Sequence, residues 1–491
     1  MNTVNNRHRV ILQRIAHRVM LERGLLPDFL TEVLTELDTM QVQEAVAGDQ
    51  VRDMTDLLWV SIDNDDSRDL DQLTVAEELA GGRTKIYVAI ADVDVLVHSG
   101  SKIDYHARHN TTSVYTAAAI FPMLPEKLST DLTSLNFNEV RLAVVVEMVV
   151  DKDGSLLDSD IYRAHVRNCA KLAYNSVAAW LDGGGSDPEG VATVNGLAEN
   201  VQLQDKAAQS MRDFRHIHGA LSLETIQAKP VFDGDQISDL QEERTNRAKS
   251  IIENFMIAAN GVTARYLDAR KFPVLRRVVR TPKRWDRIAE IARDHGVNLP
   301  SGPDSKALEK FLISAKAADP LRFPDLSLSV IKLMGAGEYV TDSPGATLPM
   351  GHFGLAVMDY THSTAPNRRY PDLITQRLLK AGLNRHPVPY ELSELEEIAR
   401  HCTVAEDAAK KVERQVEKSA AAILLEGQTR KRFDAIVTGA SHKGTWVRLL
   451  RPPVEGKLVS GYKGLDVGRR ISVELVRTDV EQGFIDFKKV G

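Results

Sequence analysis

The order of hydrophobic and polar residues changes character along the chain. Residues 7–26 and 27–38 repeat apolar side chains at helical spacing, which predicts two amphipathic helices. From Leu57 onward, short apolar runs typical of strands alternate with helical stretches, which indicates a mixed α+β region. Residues 391–428 are again helical in pattern, and the last sixty residues alternate as strands do, between frequent glycines. The pattern therefore predicts an α+β protein with helices at the start and a small closed β-barrel at the end.

These changes of pattern predict four parts. Residues 1–52 form a helical domain, 53–390 a large mixed α/β domain, 391–430 connecting helices packed on that domain, and 431–491 the barrel. Arginines lie between the apolar positions of the first helix. The N-terminal helices could form a helix-turn-helix that presents these arginines to nucleic acid, or the arginines could form an ordinary solvated face.

The composition excludes several classes of protein. With 43% hydrophobic residues, 26% charged residues and a net charge of −6, the chain is typical of a globular protein and unlike a globally basic nucleic-acid binder. The longest apolar run is far shorter than a membrane-spanning helix, and the first residues do not look like a secretory signal. Two cysteines, Cys169 and Cys402, are too few for a disulfide framework or a cysteine-based zinc site. We therefore expect a cytoplasmic protein with no membrane partner.

The most informative stretch is an acidic loop at residues 61–72. Five aspartates occupy nine positions directly after a predicted strand, where their carboxylates would repel one another. A divalent cation removes that repulsion, and Mg²⁺ or Mn²⁺ prefers such oxygen ligands. A solvated acidic turn is the alternative. A calcium-binding EF-hand loop is excluded, because Arg68 stands where glycine is needed and Thr74 where the closing glutamate belongs.

A possible phosphate-binding pair follows much later in the chain. Arg368 and Arg369 lie in a proline-containing turn that would fix the direction of a guanidinium, and arginine grips a phosphate with two parallel hydrogen bonds. Two metals about 4 Å apart could then hydrolyse a phosphodiester, one activating water and the other stabilising the leaving oxygen. The alternative is a surface arginine paired with Asp372.

Four blocks of sequence, in this order, resemble the catalytic (RNB) domain of the RNase II and RNase R exoribonucleases: residues 61–74, 115–124, 252–260 and 352–373. The resemblance implies a hydrolytic 3′-to-5′ exoribonuclease that threads single-stranded RNA through a narrow channel and releases nucleoside 5′-monophosphates. It also implies Mg²⁺ as cofactor, with Mn²⁺ as a substitute, and a two-metal mechanism. The C-terminal part resembles an OB-fold RNA-binding domain. About fifty helical residues replace the family's two N-terminal cold-shock domains, so the chain looks like a shortened relative, which we expect to be monomeric.

The resemblance also implies the site residues. Asp71 and Arg368 match catalytic positions, and Asp63, Asp69 and Asp71 match three of the family's four metal-site aspartates. Gln72 takes the place of the fourth, offering a neutral carbonyl oxygen to the metal. This departure should weaken one metal site. It leaves open a second hypothesis, an RNA-binding regulator or adaptor of the same fold that has lost catalysis.

The expected RNA contacts combine family matches with basic residues. Glu413 is expected to support the site structurally, and Leu223 stands where the family has the second aromatic wall at the RNA 3′ end. For Tyr115 and Tyr174 the alternative is an ordinary core position, and for Trp446 it is burial inside the barrel. The residues expected to contact RNA are Tyr115, Tyr174, Glu253, Arg276, Arg277, Arg280, Arg369 and Trp446.

Overall fold

The computed structural model describes residues 7–41, 51–243, 245–343, 351–441, 444–465 and 467–490 of the chain. Its centre is a mixed sheet of seven strands. These strands are β1 (Val51–Asp53), β2 (Val60–Asp63), β3 (Gln72–Leu79), β4 (Arg83–Ala91), β7 (Val140–Val150), β8 (Leu156–Arg167) and β9 (Ala170–Ala173). Their order in the sheet is β1-β8-β7-β4-β3-β2-β9, and only the β1–β8 and β2–β9 pairs are parallel. A separate hairpin, β5 (Val114–Tyr115) and β6 (Ile120–Phe121), lies between β4 and β7 in the chain.

Helices and two further strand pairs surround this sheet. The helices are α1 (His8–Glu22), α2 (Thr31–Asp38), α3 (Lys102–Asn110), α4 (Tyr174–Leu181), α5 (Glu189–Thr193), α6 (Leu197–Ile217), α7 (Arg247–Ala269), α8 (Trp285–Asp294), α9 (Ser305–Ala318), α10 (Phe323–Met334), α11 (Tyr370–Leu383) and α12 (Leu392–Leu424). Short helical turns span Val93–Val95, Leu128–Leu132 and Phe353–Leu355. The strand pairs are β10 (Gln227–Asp233) with β11 (Gln236–Glu243), and β12 (Val274–Val278) with β13 (Glu338–Asp342). Within the described residues, no helix is both long and apolar enough to cross a lipid bilayer.

The main core lies between the sheet and its helices. Strands β4 and β7 are nearly continuous apolar runs because most of their residues are buried on either face. Helices α6 and α7 pack side by side against β3 and β4, and Phe255 of α7 and Ile86 of β4 are both fully buried in one cluster. Each such side chain contributes about 1.5–3 kcal/mol of hydrophobic stabilisation. Helices α8, α9 and α10 have a smaller core of their own.

A closed barrel follows the 33-residue helix α12. Its strands are β14 (Arg432–Ser441), β15 (Gly444–Leu449), β16 (Glu455–Ser460), β17 (Arg470–Asp479) and β18 (Phe484–Val490). The barrel closes in the order β14-β15-β16-β18-β17, and Phe487 is fully buried inside it. Helix α12 packs on the main core through its first half and on the barrel through its last turn. The predicted α+β fold with N-terminal helices and a C-terminal barrel is confirmed.

The two N-terminal helices do not form a helix-turn-helix. Helix α1 packs against α12 and α2 against α3, whereas the helices of a helix-turn-helix pack on each other. The arginines of α1 are also paired: Arg9 with Asp235, and Arg14 and Arg18 with Glu481. The amphipathic pattern of α1 therefore reflects packing within the chain, and contact of its partly exposed arginines with nucleic acid stays a prediction. Residues 1–6 and 42–50 of the predicted first domain lie outside the described residues.

Candidate active site

The acidic loop connects the ends of two neighbouring strands. Strand β2 ends at Asp63 and β3 begins at Gln72, so the loop leaves and re-enters the sheet at the same edge. The parallel pairing of β2 with β9 sets Asp63 opposite Ala173, and helix α4 begins at the next residue, Tyr174. Sheet register therefore brings Tyr174 beside the first aspartate of the loop.

Asp71 and Arg368 meet at the buried side of this loop. Asp71 is only 1% exposed, and its Oδ2 lies 3.0 Å from Arg368 Nε. The backbone N–H of Asn367 donates to Asp71 Oδ1 at 3.0 Å, so the turn that precedes α11 is docked on the acidic loop. The Arg368 side chain remains 41% exposed. The guanidinium thus neutralises a buried carboxylate while staying accessible to a ligand.

The electrostatics of the pair follow from burial. Burial raises the pKa of Asp71 to about 7, although Arg368 opposes this shift. Burial alone would lower the pKa of Arg368, but the negative charge of Asp71 and its neighbours outweighs it, and the pKa is raised. Asp71 Oδ2 is buried and forms no well-directed hydrogen bond, despite the nearby Nε atom. A buried oxygen in this condition favours a cationic partner.

Asp63, Asp69 and Tyr115 lie close to the pair formed by Asp71 and Arg368. The Tyr115 hydroxyl donates to Asp69 Oδ2 at 2.8 Å, and the Tyr115 backbone N–H donates to Glu413 Oε1 at 3.0 Å. Burial raises the pKa of Asp63, against the attraction of Arg368 and with the repulsion of Asp69. The three aspartates and Arg368 therefore lie close enough to influence one another's charge.

The donor chemistry of this cluster fits a divalent cation. Carboxylate oxygens are the ligands that Mg²⁺ and Mn²⁺ prefer, and Asp71 Oδ2 lacks a directed donor. Gln72, at the start of β3, is buried beside Asp71. A ready-made cage is not present, because no three His, Cys, Asp or Glu side chains of the described chain converge in a metal-binding arrangement. The cluster thus matches a metal site in residue type more than in present geometry.

The other expected RNA contacts are spread around this cluster. Burial, followed by the charge of Asp63, raises the pKa of the half-buried Tyr174. The Lys249 ammonium lies 5.7 Å from the centre of the Tyr174 ring. Glu253 is exposed one helical turn after Lys249 on α7. Trp446 is half-buried on the barrel strand β15, in a different part of the chain from the acidic loop and Arg368.

Two of the predicted RNA contacts do not agree with the structure. Arg276 is 5% exposed, and its guanidinium is paired with three carboxylates, those of Asp268, Asp342 and Asp359. Arg277 is buried and paired with Glu406. Because these charges are already neutralised inside the protein, neither arginine can offer its guanidinium to a phosphate.

The remaining two arginines differ from each other. Arg280 is exposed and pairs with Glu338, so it stays at the surface. Arg369 forms a bidentate contact with Asp372 at 2.9 and 2.7 Å, which is the pairing that the alternative interpretation of this dipeptide expected. Arg369 therefore stabilises the turn, and only Arg368 points at the acidic loop.

A basic groove near the cluster was not found from the sequence. It has a volume of about 1340 Å³ and lies between the barrel, α10 and the β10–β11 hairpin. Leu223, expected from the sequence at the position of an aromatic wall, also lines it. Its six basic and three acidic side chains come from separate segments, so no local charge run marked it. They are Lys249, Arg322, Lys431, Arg448, Arg451 and Arg470, and Glu224, Asp239 and Glu242. The Arg448 guanidinium is already paired with the buried Asp325, so its charge is not available to a phosphate.

Family models cover most of the chain. An RNB domain model matches residues 51–385, and a model of the RNase II-type exonuclease C-terminal S1 domain matches residues 431–490. Ribonuclease R of Escherichia coli (strain K12) is 31% identical over 421 residues, which are 83% of this chain and 50% of that protein. The chain therefore spans about half the length of that relative.

Solved structures share the fold. Mycoplasma genitalium RNase R in complex with ribose-methylated single-stranded RNA superposes with a TM-score of 0.87 at 23% identity, covering 98% of this chain and 78% of that one. Yeast Ssd1, described as a pseudonuclease, superposes with a TM-score of 0.73 at 16% identity, covering 91% and 55%. The RNB domain match over more than half of the chain, together with the 31% identity to Ribonuclease R, shows that the chain belongs to the RNB family of RNase R and RNase II-type exoribonucleases.

Proposed function

We propose that this protein is a divalent-metal-dependent exoribonuclease that hydrolyses single-stranded RNA processively from its 3′ end to nucleoside 5′-monophosphates. The observation that supports this most is the buried pair of Asp71 and Arg368, with Asp69 and Tyr115 joined beside it. This pair combines an anionic group suited to metal with a half-exposed cation suited to phosphate.

The chain's own residues would divide the work as follows. Asp63, Asp69, Asp71 and Gln72 would hold Mg²⁺ or Mn²⁺, which in a two-metal site supplies an activated water and stabilises the leaving oxygen. Arg368 would bind the scissile phosphate and offset the negative charge that develops on it. Tyr115 would stack on the 3′-terminal base, and Glu413 holds the Tyr115 backbone in place.

The basic groove would guide RNA to the site. Lys249 lines the groove and also lies 5.7 Å from the Tyr174 ring, which in turn borders Asp63. Lys249 and Tyr174 therefore lie between the groove and the acidic loop. Phosphate contacts there would bind RNA without reading its sequence.

Digestion of end-labelled RNA tests the proposal. An RNA labelled at its 3′ end should release labelled mononucleotide at once, and the same RNA labelled at its 5′ end should release it only late. Mg²⁺ or Mn²⁺ should be required, and a chelator should stop the reaction. Internal cleavage, early loss of the 5′ label or full activity in the chelator would contradict the proposal.

Neutralising the groove should weaken RNA binding at every sequence. We expect the double variant Lys431→Gln, Arg470→Gln to lower affinity and to reduce the slope of log affinity against log salt by about 0.7 per lost single-strand contact. Fluorescence anisotropy with labelled RNA at several salt concentrations measures both. The double variant Arg83→Gln, Lys152→Gln is the control, because both residues are exposed at the far end of the sheet. If the slope of log affinity against log salt is equal in both double variants, the RNA does not bind in the groove.

Restoring the fourth carboxylate should strengthen metal binding. We expect Gln72→Asp to raise the affinity for Mn²⁺ about tenfold or more, because an added anionic ligand increases the charge attraction. Calorimetric titration without RNA measures the affinity, and the Mg²⁺ dependence of mononucleotide release measures the effect on activity. Gln72→Asn is the matched control, since it has the shape of aspartate without the charge. If the two variants bind Mn²⁺ equally, Gln72 does not contact the metal.

The second hypothesis is an RNA-binding regulator or adaptor without catalysis. Gln72 supports it, as does the lack of three converging carboxylates among the described residues. Both hypotheses expect RNA binding. Only the enzyme releases mononucleotides with added metal, so the digestion described above separates them.

A further inference from the structure

Six residues, Asn110 to Tyr115, contact several parts of the proposed site, and we call them the site segment. It connects α3 to β5. The Ser113 N–H donates to the carbonyl oxygen of Arg368 at 3.0 Å, and the Tyr370 N–H donates to the carbonyl oxygen of Thr111 at 2.8 Å. At its end, the Tyr115 hydroxyl binds Asp69. The segment therefore determines where both the Arg368 backbone and the Tyr115 ring lie.

The start of the site segment is bound to the connection that follows α1. Asn110 accepts a hydrogen bond from the Leu26 N–H and donates one to the Leu26 carbonyl oxygen, each at 2.8 Å. The neighbouring His109 ring nitrogen lies 2.9 Å from the carbonyl oxygen of Gly24. Asn110 is buried, so losing these bonds would leave unpaired polar groups in the interior.

The end of the site segment rests on α1 itself. Val114 is fully buried in a cluster with Ile15, Val19 and Met20 of the helix. Beyond the segment, Gln13 donates from Nε2 to the carbonyl oxygen of Ala118 in the β5–β6 turn, at 3.1 Å. Helix α1 therefore lies directly behind the hairpin that contains Tyr115.

Helix α1 is in turn fixed to two other parts of the protein. It packs on α12, the helix that contains Glu413, and Arg14 and Arg18 reach Glu481 in the barrel. The backbone of Thr111 adds a sign of constraint, because this β-branched residue has a φ of 59°, in the left-handed region. Such a conformation persists only where the surrounding contacts hold it.

We propose that α1 and residues 23–26 are a positioning element for the 3′-end site, which hold the site segment so that Tyr115 and Arg368 face the acidic loop. The helix lies outside both matched family ranges, 51–385 and 431–490. It touches neither RNA nor metal itself, and its effect is exerted through the site segment. This inference rests on the proposed function, because it assumes that RNA ends at Tyr115.

A cavity behind Val114 tests this role in the full chain. Val19→Ala removes two methyl groups from a side chain that is 3% exposed and belongs to the same buried cluster as Val114. Val150→Ala makes the same change at a position that is 1% exposed and lies at the far end of the sheet, opposite Thr84. The two variants thus match in chemistry and burial and differ in distance from the site. Gln13→Ala is a milder third variant that leaves the apolar face of α1 intact.

Stacking of the 3′-terminal base can be measured without catalytic turnover. An RNA with 2-aminopurine at its 3′ end is bound to the protein in the presence of a chelator. Its fluorescence falls when the terminal base stacks. We expect strong quenching with the unmodified protein and with Val150→Ala, weaker quenching with Val19→Ala, and an intermediate value with Gln13→Ala. With metal, Val19→Ala should lower kcat about tenfold with KM nearly unchanged, because misplacing a positioned group by a fraction of an ångström affects chemistry more than binding in the groove.

The outcomes separate the two proposals. If the unmodified protein quenches and Val19→Ala matches Val150→Ala in quenching and kcat, α1 has only an ordinary core role and this inference is wrong. If the unmodified protein binds RNA without quenching, the proposed 3′-end site is wrong, and the role of α1 in it falls as well.

Discussion

Replacing Asp71 with asparagine should nearly abolish hydrolysis and leave RNA binding almost unchanged. Asparagine has the shape of aspartate but lacks the charge that would hold a divalent cation. We expect kcat to fall on the order of 10³-fold, as when one preorganised charge-stabilising group is removed from a reacting centre. The groove contacts are untouched, so anisotropy should give an RNA affinity close to that of the unmodified protein.

Asp66→Asn is the control for this variant. Asp66 belongs to the same loop but is exposed, whereas Asp71 is 1% exposed. Surface substitutions usually change stability by less than about 0.5 kcal/mol. Asp66→Asn should therefore fold normally and degrade RNA at a rate close to that of the unmodified protein. Near-normal degradation by Asp71→Asn would contradict the metal assignment, and an equal loss in both variants would indicate a general effect of loop charge.

Asp71→Asn should also change the stability of the metal-free protein. The folded pKa of Asp71 is raised to about 7, above its ordinary value of 3.8. The folded state therefore keeps a proton that the unfolded state releases, and stability declines as pH rises from about 4 to 7. Asparagine cannot ionise, so Asp71→Asn should show a smaller decline over this window. Thermal melts at several pH values in a chelator measure it, and parallel curves would contradict the assignment of burial as the cause.

Replacing Arg368 should have the second largest effect. Arg368→Lys keeps a positive charge but loses the planar group that can form two parallel hydrogen bonds with a phosphate, so we expect kcat to fall about 10²-fold. Arg280→Lys is the matched control, because Arg280 is exposed and outside the acidic cluster. Comparable losses in both variants would mean that Arg368 has no special contact with the phosphate.

Arg368→Ala also leaves the buried Asp71 without its cation. Removing one partner of a fully buried pair costs about 3–5 kcal/mol, and we expect about 2 kcal/mol here because Arg368 is 41% exposed. The double variant Asp71→Asn, Arg368→Ala should recover part of this loss, since no buried charge remains. Urea unfolding of the four proteins gives the coupling energy. Additive losses would show that the two groups do not interact in solution.

Particular residues show why part of the site could not be predicted. The sequence places five aspartates after a strand, and the structure confirms that β2 and β3 border the loop. Asp66 and Asp71 are chemically identical, yet only Asp71 is buried, because the turn that includes Asn367 docks on it. That docking joins positions almost 300 residues apart, which no local pattern records.

The errors have the same origin. A run of arginines predicts a positive surface only if its counter-charges lie elsewhere, and Arg276 instead meets Asp268, Asp342 and Asp359, which the fold brings to it. The arginines of α1 are likewise paired with distant acids. An amphipathic basic helix has the same sequence pattern whether its apolar face packs on the other helix of a helix-turn-helix or on α12.

The amino-acid sequence by itself determined the class of fold, the family and the residue types of the candidate site, because these depend on periodicity and on short motifs that stay together along the chain. The tertiary structure alone decided which charges remain available. Burial and ion pairing depend on segments that meet only after folding, so the structure selected Arg368 over Arg276, revealed the basic groove, and placed the first helix behind Tyr115.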